Sequence, residues 1–176
     1  MKDKFRLSTR EMVLFSALTA ILFLSDIALE VAMNVELVST LLAAYTVVFR
    51  QKALVILYLY VALYLLIFGF GMYNLAYLYI WLVLWGVFML LPKNGHKVLR
   101  AILYPVCCAL FGFAFGALYI PAWALAFSLG IKESIAWWIA GIPADMIHAA
   151  GNFAFGFLIL PLSDLLISLQ KKARFR

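Results

Sequence analysis

The chain has 176 residues, of which 68% are apolar, 16% aromatic and only 12% charged. An average globular chain is about 45–50% apolar and about 25% charged, so the composition excludes a water-soluble domain and leaves no room in this length for an appended nucleotide-binding domain or a large extracellular head. The net charge of +6 is not a nucleic-acid signature, because in a chain this apolar the location of the basic residues carries the information.

A membrane span needs roughly 20 mostly apolar residues to cross a hydrocarbon core about 30 Å thick, and the apolar runs predict an all-α bundle of six spans forming one transmembrane domain. The basic start, Lys2, Lys4, Arg6 and Arg10, is followed by an apolar run too long for a signal-peptide h-region and without a small-residue cleavage site, so the first helix is expected to be retained. It runs from about Thr9 to Ala32 and ends among Asp26, Glu30 and Asn34. The second, from about Glu36 to Phe49, stops at Arg50-Gln51-Lys52. At 1.5 Å per residue it measures only about 21 Å, too short to cross unaided.

The third span covers about Ala53 to Phe70, with the turn at Gly69-Phe70-Gly71, and the fourth about Tyr73 to Leu91, ending at Pro92-Lys93-Asn94-Gly95, a strong turn signal. The fifth runs from about Arg100 to Ile120, where Pro121 is expected to interrupt it and open an outer connection carrying Trp123, Ser128 and Gly130. The remaining apolar region, Ser134 to Gln170, would measure about 55 Å as one helix. Gly141-Ile142-Pro143 is the expected break, since proline suits the first turn of a helix. The sixth span is therefore expected over about Pro143 to Leu169, preceded by a short interfacial helix over 134–140 that places Trp137 and Trp138 in an aromatic belt.

Orientation follows from the positive charges. With both termini cytoplasmic, the inner segments hold 13 of the 14 basic residues and only Lys132 falls outside, as the positive-inside rule requires. Four of the eight acids, Asp26, Glu30, Glu36 and Glu133, lie at the outer face. Adjacent Cys107 and Cys108 fit neither a disulfide framework nor a metal-ligand pattern, and no inverted repeat of the transporter kind is visible.

An ionisable group within a span is costly unless paired or hydrated, and so marks a candidate site. Asp145, His148 and Asn152 are spaced i, i+3 and i+7, on one face of one helix. Two readings of this stripe stand side by side: an outward-facing cavity in which Asp145 and His148 pair and grip a ligand, or a buried network that locks the sixth helix to its neighbours. A metal site is disfavoured because no further histidine or cysteine lies at matching depth. In the fourth span Asn74, Tyr77, Trp81 and Trp85 recur at i, i+3, i+7 and i+11, a wall suited to stacking on a planar ligand or to ordinary packing. Ser16 with Ala20, and Gly112 with Gly116, are small-xxx-small pairs that serve either packing within the chain or docking of a partner.

The chain has no P-loop, no Gly-x-Ser-x-Gly and no His-Glu-x-x-His, which argues against ATP hydrolysis and intramembrane hydrolysis by the chain itself. The segments Asn34 to Ser39, Tyr77 to Trp81, Gly141 to His148, Gly151-Asn152-Phe153 and Pro161-Leu162 resemble those of bacterial substrate-binding S components of energy-coupling factor (ECF) transporters. The resemblance implies a multi-pass protein of the bacterial cytoplasmic membrane. It would capture a vitamin-like micronutrient from outside, in a pocket of the first outer loop and the outer ends of spans four to six. The candidate contacts are then Glu36, Trp123 and Trp138 in addition to Asn74, Tyr77, Trp81, Asp145, His148 and Asn152. No catalytic residue, metal or cofactor is expected in this chain. A separate transmembrane T component and two ATPases would supply the energy, with Ser16 and Ala20 standing where family members present Ala-x-x-x-Ala for docking. The alternative is a structural or accessory subunit of a membrane complex, without a ligand of its own. A small intramembrane enzyme using Asp145 and His148 is the remaining reading.

Overall fold

The computed structural model describes residues 7–32 and 34–174. The basic residues Lys2, Lys4, Arg6 and Arg176 of the orientation argument lie outside them. Every regular element among the described residues is helical: α1 (Thr9–Leu29), α2 (Val38–Phe49), a 3₁₀ turn (Arg50–Lys52), α3 (Ala53–Phe68), the single turn α4 (Met72–Leu75), α5 (Tyr77–Leu90), α6 (Lys97–Phe127), α7 (Ile131–Gly156) and α8 (Ile159–Arg174). Four stretches, Thr9–Leu29, Val38–Phe68, Met72–Leu90 and Lys97–Phe127, are long and apolar enough to cross a membrane, and α7 with α8, joined through a 44° bend, makes a fifth. The architecture is that of a multi-pass membrane protein.

Contacts along the rods give their directions. Lys52 meets Glu11 at 2.6 Å and Tyr60 meets Asp26 at 2.8 Å, so α1 and α3 run parallel and α2 returns between them. Arg50 reaches the end of α5, and Gly116 and Gly156 oppose Asp145 and Pro105, which makes α6 and α7 antiparallel. The chain therefore alternates up and down, collecting Arg10, Arg50, Lys52, Lys93, Lys97 and Arg100 at one end and Asp26, Glu30, Glu36 and Glu133 at the other. These are the basic and acidic ends below.

Local chemistry sets the helix limits. Ser8 and Glu11 form a reciprocal capping box at the start of α1, with Ser8 N–H donating to Glu11 at 2.9 Å and Glu11 N–H to Ser8 Oγ at 3.2 Å, satisfying backbone donors that helix geometry leaves free. Gly69, at φ +89°, ends α3 in a conformation that costs a residue without Cβ little. Short α2 is the hub: ten of its twelve residues are buried, and it packs against α1, α3, α5, α6, α7 and α8. Its small residues, Ser39, Thr40, Ala43, Ala44 and Thr46, let neighbouring backbones approach from several sides, as in other bilayer helix contacts.

Two sequence expectations are corrected. Pro121 does not end the fifth helix; α6 continues to Phe127 and stops at Ser128 in the left-handed region, φ 52°. Pro121 has no N–H to give the Ala117 carbonyl four residues back; next to it the Leu118 carbonyl accepts from the Tyr79 hydroxyl of α5 at 2.7 Å, so a neighbouring helix takes part in the hydrogen bonding of the turn that holds the proline, as in other apolar helices. Nor does the last region break at Pro143. That proline lies inside α7, residues 134–140 are part of the same helix, and the break falls at Phe157-Leu158, four residues before Pro161, whose missing N–H would have bonded back to that turn.

The α6 and α7 pair is the most extensive helix contact in the fold, and glycines permit it. A Cβ on Gly156 would lie 2.5 Å from Pro105 Cα, one on Gly112 would lie 2.9 Å from Asn152 Nδ2, and one on Gly116 would collide with the Asp145 carboxylate. Gly112 and Gly116 thus serve packing within the chain. Ser16 and Ala20 lie on an exposed stripe of α1 with Val13, Ala17 and Leu24.

At the basic end, the carbonyls that end α2 and α5 are taken up by side chains. The Arg50 guanidinium donates to the carbonyls of Phe88, at 3.2 Å, and Met89, Lys93 donates to Val48 O at 3.2 Å, and Tyr104 donates to Pro92 O at 2.7 Å. Cationic donors at helix C-termini satisfy orphan carbonyls and oppose the negative end of the dipole.

Candidate functional site

The polar stripe of α7 faces inward. Asp145, His148 and Asn152 are 7%, 4% and 0% exposed, and each meets a different neighbour. His148 Nε2 lies 3.0 Å from Glu36 Oε1, on the connection between α1 and α2. Asp145 Oδ1 accepts the Gly116 backbone N–H of α6 at 3.0 Å. The Asn152 amide donates to Ser39 Oγ of α2 at 3.2 Å. The expected Asp145–His148 hydrogen bond is therefore replaced by His148–Glu36, because at i, i+3 the two side chains diverge to α6 and to the α1–α2 connection.

Glu36 is held from two directions. Its second oxygen, Oε2, accepts the Ser39 backbone N–H at 2.7 Å, in the first turn of α2, where free N–H groups and the helix dipole favour a carboxylate. One acid thereby fastens the α1–α2 connection to α2 and to α7 together.

Aromatic rings continue the polar cluster sideways. Phe115 meets the His148 ring edge-on at 4.7 Å and is 5.7 Å from Trp81. Trp81 in turn meets Tyr77 at 5.4 Å and Tyr60 at 6.1 Å, and the Tyr60 hydroxyl donates to Asp26. Such edge and tilted arrangements are the favoured ones for aromatic pairs. Closer to the acidic end, Tyr73 stacks on Tyr119 at 4.5 Å and Trp123 on Trp137 at 4.9 Å.

Several buried atoms in this region have no hydrogen-bond partner: the indole N–H of Trp81, Asp145 Oδ2 and Asn152 Oδ1. Trp81 is only 2% exposed. An unsatisfied buried polar group costs about 1–3 kcal/mol, so these three atoms, one on α5 and two on α7, are left at a cost. Among the described residues, no three of His, Cys, Asp or Glu assemble into a metal-binding group.

Of the residues selected from sequence, Glu36, Tyr77, Trp81, Asp145, His148 and Asn152 come together. Trp123 joins them only through the Tyr73 and Tyr119 rings, with Tyr73 6.0 Å from Trp123. Asn74 stands apart: its amide donates to the carbonyls of Phe68 and Gly69 at 3.1 and 3.0 Å, closing the end of α3. Trp138 is half-buried with its indole N–H unpartnered, beside the Trp123–Trp137 stack. Trp85 belongs to the basic end, donating to Arg50 O at 3.1 Å. Sequence reasoning missed Tyr60, Phe115 and the Gly116 N–H. Tyr60 and Phe115 sit in unbroken apolar runs, and a backbone donor has no signature, so only Asp26, already conspicuous as an intramembrane acid, pointed towards Tyr60.

No protein-family model, no curated protein and no solved structure matches this chain.

Proposed function

We propose that the chain is the substrate-binding S component of an ECF-type importer in a bacterial cytoplasmic membrane. It captures a small vitamin-like or heterocyclic micronutrient at its acidic end and passes it inward with a separate T component and two ATPases. The basic end then faces the cytoplasm, as the positive-inside rule requires, and the exposed α1 stripe with Ser16 and Ala20 is available to the T component. The observation that carries the reading is that three buried polar atoms of the α5 and α7 stripes, Trp81 N–H, Asp145 Oδ2 and Asn152 Oδ1, have no partner within the chain, with the Phe115 ring in contact with both Trp81 and His148. A planar solute carrying both a donor and an acceptor would satisfy them and stack on the rings. Acids outnumber bases at that end, which favours neutral or cationic solutes over anions.

The test is ligand-dependent thermal stabilisation of the purified chain, without ATP, against a panel of water-soluble vitamins and nucleobases. A solute bound at 100 times its Kd stabilises the native state by about 2.7 kcal/mol. The proposal expects one saturable hit that Asp145→Ala or His148→Ala abolishes while the helical circular dichroism is kept. Saturable binding unchanged in both variants removes these residues from the site.

A second reading is favoured by a different observation: Asp145, His148 and Asn152 each already touch another part of the chain. On that reading the stripe is helix glue in a structural or accessory subunit. It expects no stabilisation by any solute and a loss of helical folding in the same variants.

A further inference from the structure

Tyr60 and Tyr64 of α3 and Tyr77 and Trp81 of α5 close a circuit of ring contacts. The centroids are 6.1 Å apart for Tyr60 and Tyr64, 4.6 Å for Tyr64 and Tyr77, 5.4 Å for Tyr77 and Trp81, and 6.1 Å for Trp81 and Tyr60. Tyr60 and Trp81 are buried, whereas Tyr64 and Tyr77 keep part of their surface exposed, so the circuit has an inner and an outer side. The faces of aromatic rings are electrostatically negative, and a cation is attracted to those of Trp and Tyr within about 6 Å of the centroid.

Asp26 of α1 stands at the edge of this circuit. Its Oδ2 accepts from the Tyr60 hydroxyl at 2.8 Å, and its charge is felt at Tyr64 and Tyr77 as well. Among the described residues no Lys, Arg or His pairs with it, and the charged groups that act on it, Glu36 and Glu30, are both acids. A carboxylate in an apolar bundle is costly unless paired, and a tyrosine hydroxyl supplies a hydrogen bond but no countercharge. The rings and the acid therefore want the same complement, a positive charge. Quaternary ammonium groups are recognised by aromatic cages of this kind.

We infer that the solute captured at the acidic end is an organic monocation with its charge shielded by carbon, a quaternary ammonium or an N-alkylated heterocycle, held between the Asp26 carboxylate and the Tyr64 and Tyr77 rings. This rests on the receptor reading and narrows the class of its solute. Trp81 is common to both, and its buried, unpartnered indole N–H is left for an acceptor elsewhere on the same molecule.

Calorimetric titration of the purified full chain in neutral detergent tests this with two cationic probes, choline and N-methylpyridinium, and with the uncharged isostere of choline in which a tert-butyl group replaces the trimethylammonium. The expected result is saturable binding of the cations at millimolar concentration and none of the isostere. Asp26→Asn keeps an acceptor for Tyr60 and removes the charge, and should weaken choline at least tenfold. Tyr64→Leu should weaken it about fivefold, the equivalent of about 1 kcal/mol for one cation–π contact, while Tyr64→Phe, which keeps the ring, should retain it and serves if the Asp26 variant does not fold. Equal affinity for choline and its isostere, or choline affinity undiminished by Asp26→Asn and Tyr64→Leu, would overturn the inference. Saturable binding of a neutral vitamin by a chain that binds neither cation would overturn it too and leave the receptor reading standing, whereas a chain that binds no solute of either kind would overturn both.

Discussion

Glu36 and His148, 112 residues apart in the chain, meet at 3.0 Å and join the connection leading into α2 to the middle of α7. His148 is buried and Glu36 keeps only 15% of its side chain exposed, and Glu36 also accepts the Ser39 backbone N–H, so removing either partner strands the other. Leaving a buried polar group unsatisfied costs about 1–3 kcal/mol, more for a charged one. Glu36→Gln and His148→Ala should each destabilise the chain by at least that much. In a double-mutant cycle read by chemical denaturation in detergent, the coupling should lie within the 0.5–3 kcal/mol typical of contacting residues. Simple additivity of the two losses would show that the contact does not close in the membrane.

The glycines make a graded series. Gly156→Ala sets a methyl against Pro105 backbone, whereas in Gly116→Ala the obstacle is the Asp145 side chain, which can swing away at the expense of its hydrogen bond. Overpacking costs about 1–3 kcal/mol, and Gly156→Ala should stand at the upper end. Gly86 and Gly141 have nothing within 4 Å of an added Cβ, and as helix-interior residues they should gain about 0.5–1 kcal/mol on replacement by alanine. Thermal midpoints of the four variants give the order directly, and a Gly156→Ala protein as stable as Gly86→Ala would contradict the α6–α7 packing described above.

Trp81 separates a binding wall from a plain core. Trp81→Phe removes the unpartnered indole N–H while keeping most of the ring contacts with Phe111 and Tyr77. Without solute, the loss of ring volume is offset by the lifted desolvation cost, so stability should change by less than about 1.5 kcal/mol. With solute, affinity should fall by about tenfold, the equivalent of one hydrogen bond of about 1.4 kcal/mol. Calorimetric titration of the variant with the solute found for the parent chain reads this, and equal affinities would place the indole N–H outside the site.

Arg50 ties the turn between α2 and α3 to α5, donating to the carbonyls of Phe88 and Met89 while its own carbonyl accepts from Trp85. Hydrogen bonds to charged groups contribute about 1.5–3 kcal/mol, and Arg50→Ala should cost about that in unfolding free energy. Lys, a compact point charge without the planar guanidinium fork, should restore less than half of it. Full rescue by Arg50→Lys would show that charge alone, rather than the two-carbonyl grip, holds the end of α5.

The break in the last apolar region shows where sequence reasoning stopped. Pro143 and Pro161 both remove a backbone donor, and nothing local ranks one above the other. The glycine at 141 made the first look the stronger breaker. Packing reverses the order: continuous α7 lays Gly156 against Pro105 and Gly112 under Asn152, contacts that a break at Pro143 would misalign. Pro121 behaves the same way: the helix runs through it, and Tyr79, a residue 42 positions earlier, donates to the Leu118 carbonyl in the turn before it.

Composition and the spacing of apolar runs determined by themselves that this is a helical chain of the multi-pass membrane class. They also determined that its basic residues gather at one end, and that Asp145, His148 and Asn152 share one face of a helix. These properties need only the length of a helical rod, the solvation cost of charge and the period of the helix. Which partner each polar group takes was decided by the tertiary structure alone. Asp145 goes to a backbone N–H, His148 to Glu36, Asn152 to Ser39 and Asn74 to the end of α3, because a side chain in an apolar bundle must take whatever donor or acceptor the neighbouring helices bring within reach, and that is set by how closely glycine and serine let those helices approach.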